Sequence, residues 1–218
     1  MSIHIVHLCR DWAVVVKPYG ILSEGAAPDS LPFLLEEQFR ENGTKYESIH
    51  PVHRLDRTTE GLILIALNRK SAAALSQMVQ EHKIRKHYTA FITKDPSLPD
   101  SGTMTDWLFF DKRADKSFIA APTKTSAKKA ELTYTLAETF MKDDTAVTRA
   151  EIDMITGRTH QIRVQFASRK SPLIGDRKYG SRVNHKSPAL FCTGIEFEWK
   201  DELCSCTMKP DFDFVQIH

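Results

Sequence analysis

Seven consecutive apolar residues, Gly61-Leu62-Ile63-Leu64-Ile65-Ala66-Leu67, constrain this chain of 218 residues more than any other feature. A run of that length, opening directly from the polar segment 53–60, reads as a buried strand. Ala72, Leu75, Met78 and Val79 then recur at helical spacing and predict an amphipathic helix over about 71–81, followed by a further strand at 88–93. Upstream, the Val- and Ile-rich runs 3–8 and 13–16 are separated by Arg10-Asp11 and read as adjacent strands, ending in a turn at Lys17-Pro18-Tyr19-Gly20. Leu31, Leu34, Leu35 and Phe39 predict a first helix over 31–40, with Gly43 as its stop.

The middle, 96–129, mixes Pro, Gly, Asp, Lys and Thr with aromatic patches such as Trp107-Leu108-Phe109-Phe110, and predicts hairpins and loops. Alternation over 131–137 and 146–155 predicts two strands joined by a polar turn at Lys142-Asp143-Asp144. A helix is expected within 159–168, just after Gly157, and short strands over 190–217. With no internal repeat and no low-complexity linker, the expectation is an α+β fold: a mixed, mainly antiparallel sheet with flanking helices, in a single domain spanning 1–218.

A hydrophobic content of 41% is enough to bury a substantial core. The four cysteines, Cys9, Cys192, Cys204 and Cys206, form no C-x-x-C pair and are expected as free thiols, without zinc. The N-terminus MSIHIVHLCRDW has no long apolar core, and no stretch approaches the roughly 20 apolar residues that cross a bilayer. A cytosolic protein with no membrane partner is expected. Net charge is only +2, but the cations cluster: 82–87; Lys124, Lys128 and Lys129; Arg158, Arg163, Arg169 and Lys170; and 177–186. Gathered on one face they would form a footprint for phosphates; scattered, they are ordinary solvated charge.

The segment His53-Arg54-Leu55-Asp56-Arg57-Thr58-Thr59-Glu60-Gly61 packs bases, acids and hydroxyls into a turn before an apolar strand. By itself, Asp56 there serves catalysis or simply caps backbone N–H groups. Three further segments accompany it in order. Val16-Lys17-Pro18-Tyr19-Gly20 precedes it, Lys86-x-Tyr88-x-Ala90 follows, and Thr156-Gly157-Arg158-Thr159-His160-Gln161-Ile162-Arg163-Val164 runs toward Gly175-Asp176-x-x-Tyr179-Gly180. Together they resemble the RluA-type pseudouridine synthases over residues 3–210, nearly the whole chain. Glu60, Gln165 and Cys192 depart from residues usual in that family. The extra N-terminal RNA-binding domain of the S4 type common there is expected to be absent, since the first strand begins at Ile3.

The resemblance implies an isomerase that converts specific uridines of transfer RNA, large-subunit ribosomal RNA or both, working as a monomer and without cofactor or metal. It implies that Asp56 starts the reaction, by attacking the sugar or by taking its proton, with Arg163 beside it holding the carboxylate charged. Tyr88 is implied to stack on the uracil, and Ile162 to wall the pocket. The target uridine must leave its stack, and Arg54 is the implied occupant of the gap; a salt bridge that shapes the loop is the equal alternative. His53, Lys17 and Arg158 are further expected RNA-binding residues, with Lys178 and Arg182 as looser phosphate contacts. Two other readings compete: an RNA-binding module without catalysis, and a hydrolytic nuclease built on His53, Asp56 and His160.

Overall fold

The structure, a computed structural model, describes residues 1–142, 145–210 and 212. In chain order the elements are β1 (His4–Leu8), β2 (Trp12–Lys17), α1 (Leu31–Asn42), β3 (His50–Pro51), β4 (Glu60–Ala66), α2 (Arg69–Gln80), β5 (Arg85–Ile92), β6 (Ser101–Asp111), β7 (Lys116–Ile119), β8 (Lys128–Lys142), β9 (Thr145–Met154), α3 (Gln161–Ser168), β10 (Leu190–Trp199) and β11 (Glu202–Thr207). They gather into two compact units: residues 1–86 with 191–210, and residues 87–190 with Phe212.

In the first unit, β1 and β2 pair antiparallel, and β2 continues antiparallel onto β4. The short β3 lies against the C-terminal half of β4, while β10 runs parallel to its start and carries β11. As the unbroken apolar run requires, β4 is buried on both faces from Gly61 to Ala66. Leu31, Leu35 and Phe39 are the buried side of α1, which stops where Gly43 turns left-handed at φ 72°. Helix α2 begins two residues before the expected Ser71, because the Asn68 side chain accepts the Ser71 N–H at 2.8 Å and caps it.

The second unit pairs antiparallel in the order β5, β9, β8, β6, β7. Among the described residues, parallel and antiparallel pairs with three α-helices make this an α+β fold, as expected. Two lengths differ from the sequence expectation. The first strand of the pair expected at 131–155 is 15 residues long, β8, continuing through an irregularity between Leu136 and Thr139. Within the middle expected as hairpins and loops, 101–111 is one continuous strand that forms a hairpin with β7 and is partly exposed to solvent. Of the expected turn Lys142-Asp143-Asp144, Asp143 and Asp144 lie outside the described residues, as do most of 211–217. The four cysteines are free thiols. Among the described residues no helix is long and apolar enough to cross a membrane.

One approach sets where β4 begins. Gly61 has φ 122°, and a Cβ there would stand 2.3 Å from the Cys192 carbonyl oxygen and 2.5 Å from its nitrogen. Both conflicts involve backbone, so neither can swing aside. Gly61→Ala is expected to cost about 2–4 kcal/mol, read as a fall of roughly 10 °C in a melting curve; an unchanged melting temperature would show that β10 yields at this point.

Candidate active site

The first unit carries His53, Arg54, Asp56 and Lys17; the second carries Tyr88, Arg158, Ile162 and Arg163. Around Asp56 the backbone closes a tight turn, the Thr59 N–H donating to the Asp56 carbonyl at 2.9 Å. Ser23 fixes the residue before it from both sides: its hydroxyl donates to the Leu55 carbonyl at 2.6 Å and accepts the Leu55 N–H at 3.0 Å. Arg57 ties the same turn to the segment 18–30, with Nε on the Gly20 carbonyl at 2.8 Å and an ion pair to Asp29 at 2.8 Å. Asp56 itself stays half-buried on this frame.

Lys17 is not the phosphate contact expected from the sequence. Its side chain is 0% exposed, and the ammonium donates to the carbonyls of Pro18 and Ile21 at 2.9 Å and of Arg57 at 3.4 Å. Burial pushes its pKa down to about 8, against the pull of the Glu60 and Asp56 carboxylates. The charge therefore works inward, joining the lysine–proline turn to the Asp56 turn. Nothing in composition or periodicity distinguishes such a lysine from a solvated one.

His53, expected to meet RNA, is also buried. Its Nε2 accepts the Leu64 N–H at 3.2 Å, at the point on β4 between pairing with β10 at Gly61 and pairing with β3 at Ile65. The ring thus stands in for a missing strand neighbour. Burial, with the Lys86 charge, pushes its pKa down to about 3, so the ring is neutral and, with Nε2 accepting, the proton is assigned to Nδ1. Arg54 behaves oppositely: its side chain is 73% exposed and pairs with Glu24 at 2.8 Å.

In the second unit, α3 is buried from Gln161 to Phe166. Arg163 is 4% exposed and grips Asp176 with both ends of its fork, Nε to Oδ2 at 2.7 Å and Nη2 to Oδ1 at 2.8 Å. The resemblance pairs Arg163 with Asp56; inside its own unit the carboxylate it holds is Asp176. Its guanidinium also lies 5.0 Å from the Tyr179 ring centroid. The Tyr179 hydroxyl accepts the Ser117 N–H at 2.7 Å and shares His160 Nδ1 at 3.0 Å, and burial pushes its pKa up to about 12. Gly175 must be glycine for Asp176 to arrive there: φ is 75° and a Cβ would stand 2.3 Å from the Ser187 carbonyl oxygen.

The loop before α3 is held by Gln161, whose Oε1 accepts from the Arg158 N–H at 3.0 Å and the Thr156 hydroxyl at 2.8 Å. The Arg158 side chain is exposed, with its Nε donating to the Lys129 carbonyl at 2.9 Å. Ile162 and Tyr88 are 3% and 6% exposed, Tyr88 on β5 opposite Ile152 of β9. Lys178 is tied to Asp115 at 2.6 Å, and Arg182 is exposed. Of the family departures, Gln165 donates to Asp106 at 2.7 Å, Glu60 pulls on the Lys17 charge, and Cys192 is buried beside Gly61. Sequence reasoning missed Ser23, Arg57, Gln161 and the partnership of Asp176. Asp176 stood in a quoted motif, whereas Ser23 gave no signal.

His53 supplies a pH test. Only the unfolded chain takes up a proton on this ring between about pH 6.5 and pH 3, so its stabilising effect is complete above that window and is lost as pH falls through it. His53→Gln keeps an acceptor for the Leu64 N–H and removes the titration. Urea unfolding of this variant between pH 6.5 and 4 should show a slope shallower than wild type by about 1.4 kcal/mol per pH unit; equal slopes would mean that His53 is charged in the fold.

Comparison with known proteins bears on these motifs. Residues 11–168 match the family described as RNA pseudouridylate synthase. An RNA pseudouridine synthase of Haemophilus influenzae is 30% identical, over 96% of this chain and 88% of its own. The dual-specificity RNA pseudouridine synthase RluA of Escherichia coli K12 is 33% identical, over 77% of this chain and 73% of its own. Among solved structures, human RNA pseudouridylate synthase domain containing 1 superposes with a TM-score of 0.78 at 22% identity, over 95% of this chain and 83% of that one, which shows the shared fold. With the family match covering most of the chain and its motifs carrying the buried framework just described, the chain belongs to the RNA pseudouridylate synthase family.

Proposed function

We propose that Asp56 is the carboxylate with which this RNA pseudouridine synthase starts the isomerisation of uridine. The observation that carries the proposal is the turn around it, closed by Thr59 and held by Ser23, Lys17 and Arg57. Such a frame fixes a carboxylate far more firmly than solubility requires. The reaction breaks the uracil N1 bond to the ribose, turns the base and joins C5 to the same carbon. The base never leaves, so one ionised carboxylate suffices where glycosidases use two. Arg163, oriented by Asp176, is the proposed cation that keeps the carboxylate charged, Tyr88 the ring against the uracil, and Ile162 an apolar wall.

The hydrolytic alternative fits poorly. Its first histidine would be a weak base with its Nε2 lone pair already engaged by Leu64, and His160 Nδ1 is shared with Tyr179. Arg54 is the proposed occupant of the gap left by the extruded uridine, because an exposed ion pair such as that with Glu24 is weak enough to exchange. Transfer RNA, large-subunit ribosomal RNA or both are the proposed substrates, with the chain acting as a monomer. Mapping pseudouridine in RNA from cells with and without the gene would identify the target.

Asp56→Asn keeps shape and removes the ionised oxygen. Single-turnover pseudouridine formation, run in excess chelator at saturating enzyme, should vanish, while the melting temperature and RNA affinity stay near wild type; a folded variant with near wild-type turnover would remove Asp56 from the reaction. Arg54→Ala should lose at least tenfold more activity on a structured RNA than on a short unstructured strand, since only the former must be propped open. Equal losses on both would leave Arg54 a loop-shaping residue.

A further inference from the structure

Strand pairing sorts the aromatic segment of the second unit onto two faces. Phe109 lies opposite Phe118, Asp111 opposite Lys116, and Trp107 opposite Lys129. Directly opposed residues share a face, and alternate residues along a strand share it too. Trp107, Phe109, Phe118, Lys116 and Lys129 are therefore on one side of the β6–β7 hairpin and its neighbour β8. The other side presents Leu108 and Ala130, which pack with Val164 and Tyr179. The side with the rings looks outward: Trp107 and Phe109 are half-buried and Phe118 is 42% exposed.

Cations surround these rings. Lys124 Nζ stands 4.2 Å from the Phe109 centroid, while Lys116 Nζ lies 5.6 Å from that of Phe118 and 5.0 Å from that of Tyr179. Among the described residues Lys112, Arg113, Lys116 and Lys124 form no ion pair. The acids of the hairpin are already engaged: Asp111 accepts the N–H groups of Arg113 and Ala114 at 2.8 and 3.2 Å, and Asp115 pairs with Lys178. Arg158 continues the strip, its Nε donating to the Lys129 carbonyl at 2.9 Å.

Lysines on an edge strand guard against unwanted pairing, but that does not account for a row of rings beside them on the outward face. A ring for each base and a surplus cation for each phosphate are what an unpaired nucleic-acid strand requires. We propose that this face, with Trp107, Phe109 and Phe118 as stacking rings and Lys124 as a phosphate contact, holds an unpaired stretch of substrate RNA flanking the target uridine. The proposal rests on the reading of the chain as an RNA pseudouridine synthase, and adds a preference for targets with a single-stranded flank.

The test compares an RNA hairpin carrying the target uridine with the same hairpin extended by an unpaired flank. Phe118→Ala should raise Kd for the extended RNA about tenfold and leave Kd for the trimmed one within twofold. Phe118→Trp should restore the affinity. Lys124→Gln should flatten the salt dependence of binding to the extended RNA by about 0.7 in log–log slope. The effect should appear in KM and Kd, with the single-turnover rate at saturating enzyme near wild type. Equal Kd for wild type and Phe118→Ala on the extended RNA, with both proteins folded and the wild type active, would overturn the platform and leave the synthase reading intact. The same holds if the substitution changes only self-association on a sizing column. An inactive wild type that still loses flank binding through Phe118→Ala would separate failure of the synthase reading from failure of the platform.

Discussion

A buried ammonium organises the first unit. Lys17 spends its three protons on backbone carbonyls from two separate turns, so the lysine–proline segment and the Asp56 turn cannot move apart without leaving a charge unsolvated. The acids that lower the cost of burying it are Asp56 and Glu60, felt at longer range. A lysine held in this way keeps the turn that carries the half-buried Asp56 in a fixed place. The positive charge is held between the two turns, its ammonium donating to the Arg57 carbonyl beside Asp56.

In the second unit the same problem is solved with a fork. Arg163 lies on a helix with no polar face to spare, and its charge is tolerated because Asp176 meets it with two parallel hydrogen bonds and Tyr179 offers the face of its ring. Tyr179 is then locked by Ser117 and His160, so the motif around Arg163 and the motif ending in Gly180 form one hydrogen-bonded assembly. Lys17 and His53, expected as RNA contacts, are buried in the scaffold of the first unit. Arg54, Arg158 and Arg182, by contrast, are exposed.

Much of this was legible from the sequence. The unbroken run at 61–67 required a strand covered on both faces, and the 3.6-residue recurrence of Leu31, Leu35 and Phe39 required α1, because burial of apolar surface has a periodicity that survives any tertiary arrangement. The motifs around Asp56, Tyr88 and Arg163 likewise declared the family, since each combines residue types that packing alone does not select. The strand at 101–111 was less visible, because Ser101-Gly102-Thr103 opens it as a loop would and the run Trp107-Leu108-Phe109-Phe110 breaks the polar–apolar alternation of a half-buried strand.

What the linear chain left open was the direction in which polar side chains point. Lys17 and His53 look like surface residues in composition, and only long-range contacts make one a backbone clamp and the other a substitute strand partner. Asp176 and Arg163 are 13 residues apart, beyond any local rule, and meet because Gly175 admits a left-handed turn against Ser187. The row formed by Trp107, Phe109 and Phe118 likewise exists only through cross-strand register. The sequence determined which segments could be buried and which chemistry the motifs carry; tertiary structure decided which charged groups face water and which hold the fold, because desolvation depends on neighbours that the chain brings together only when folded.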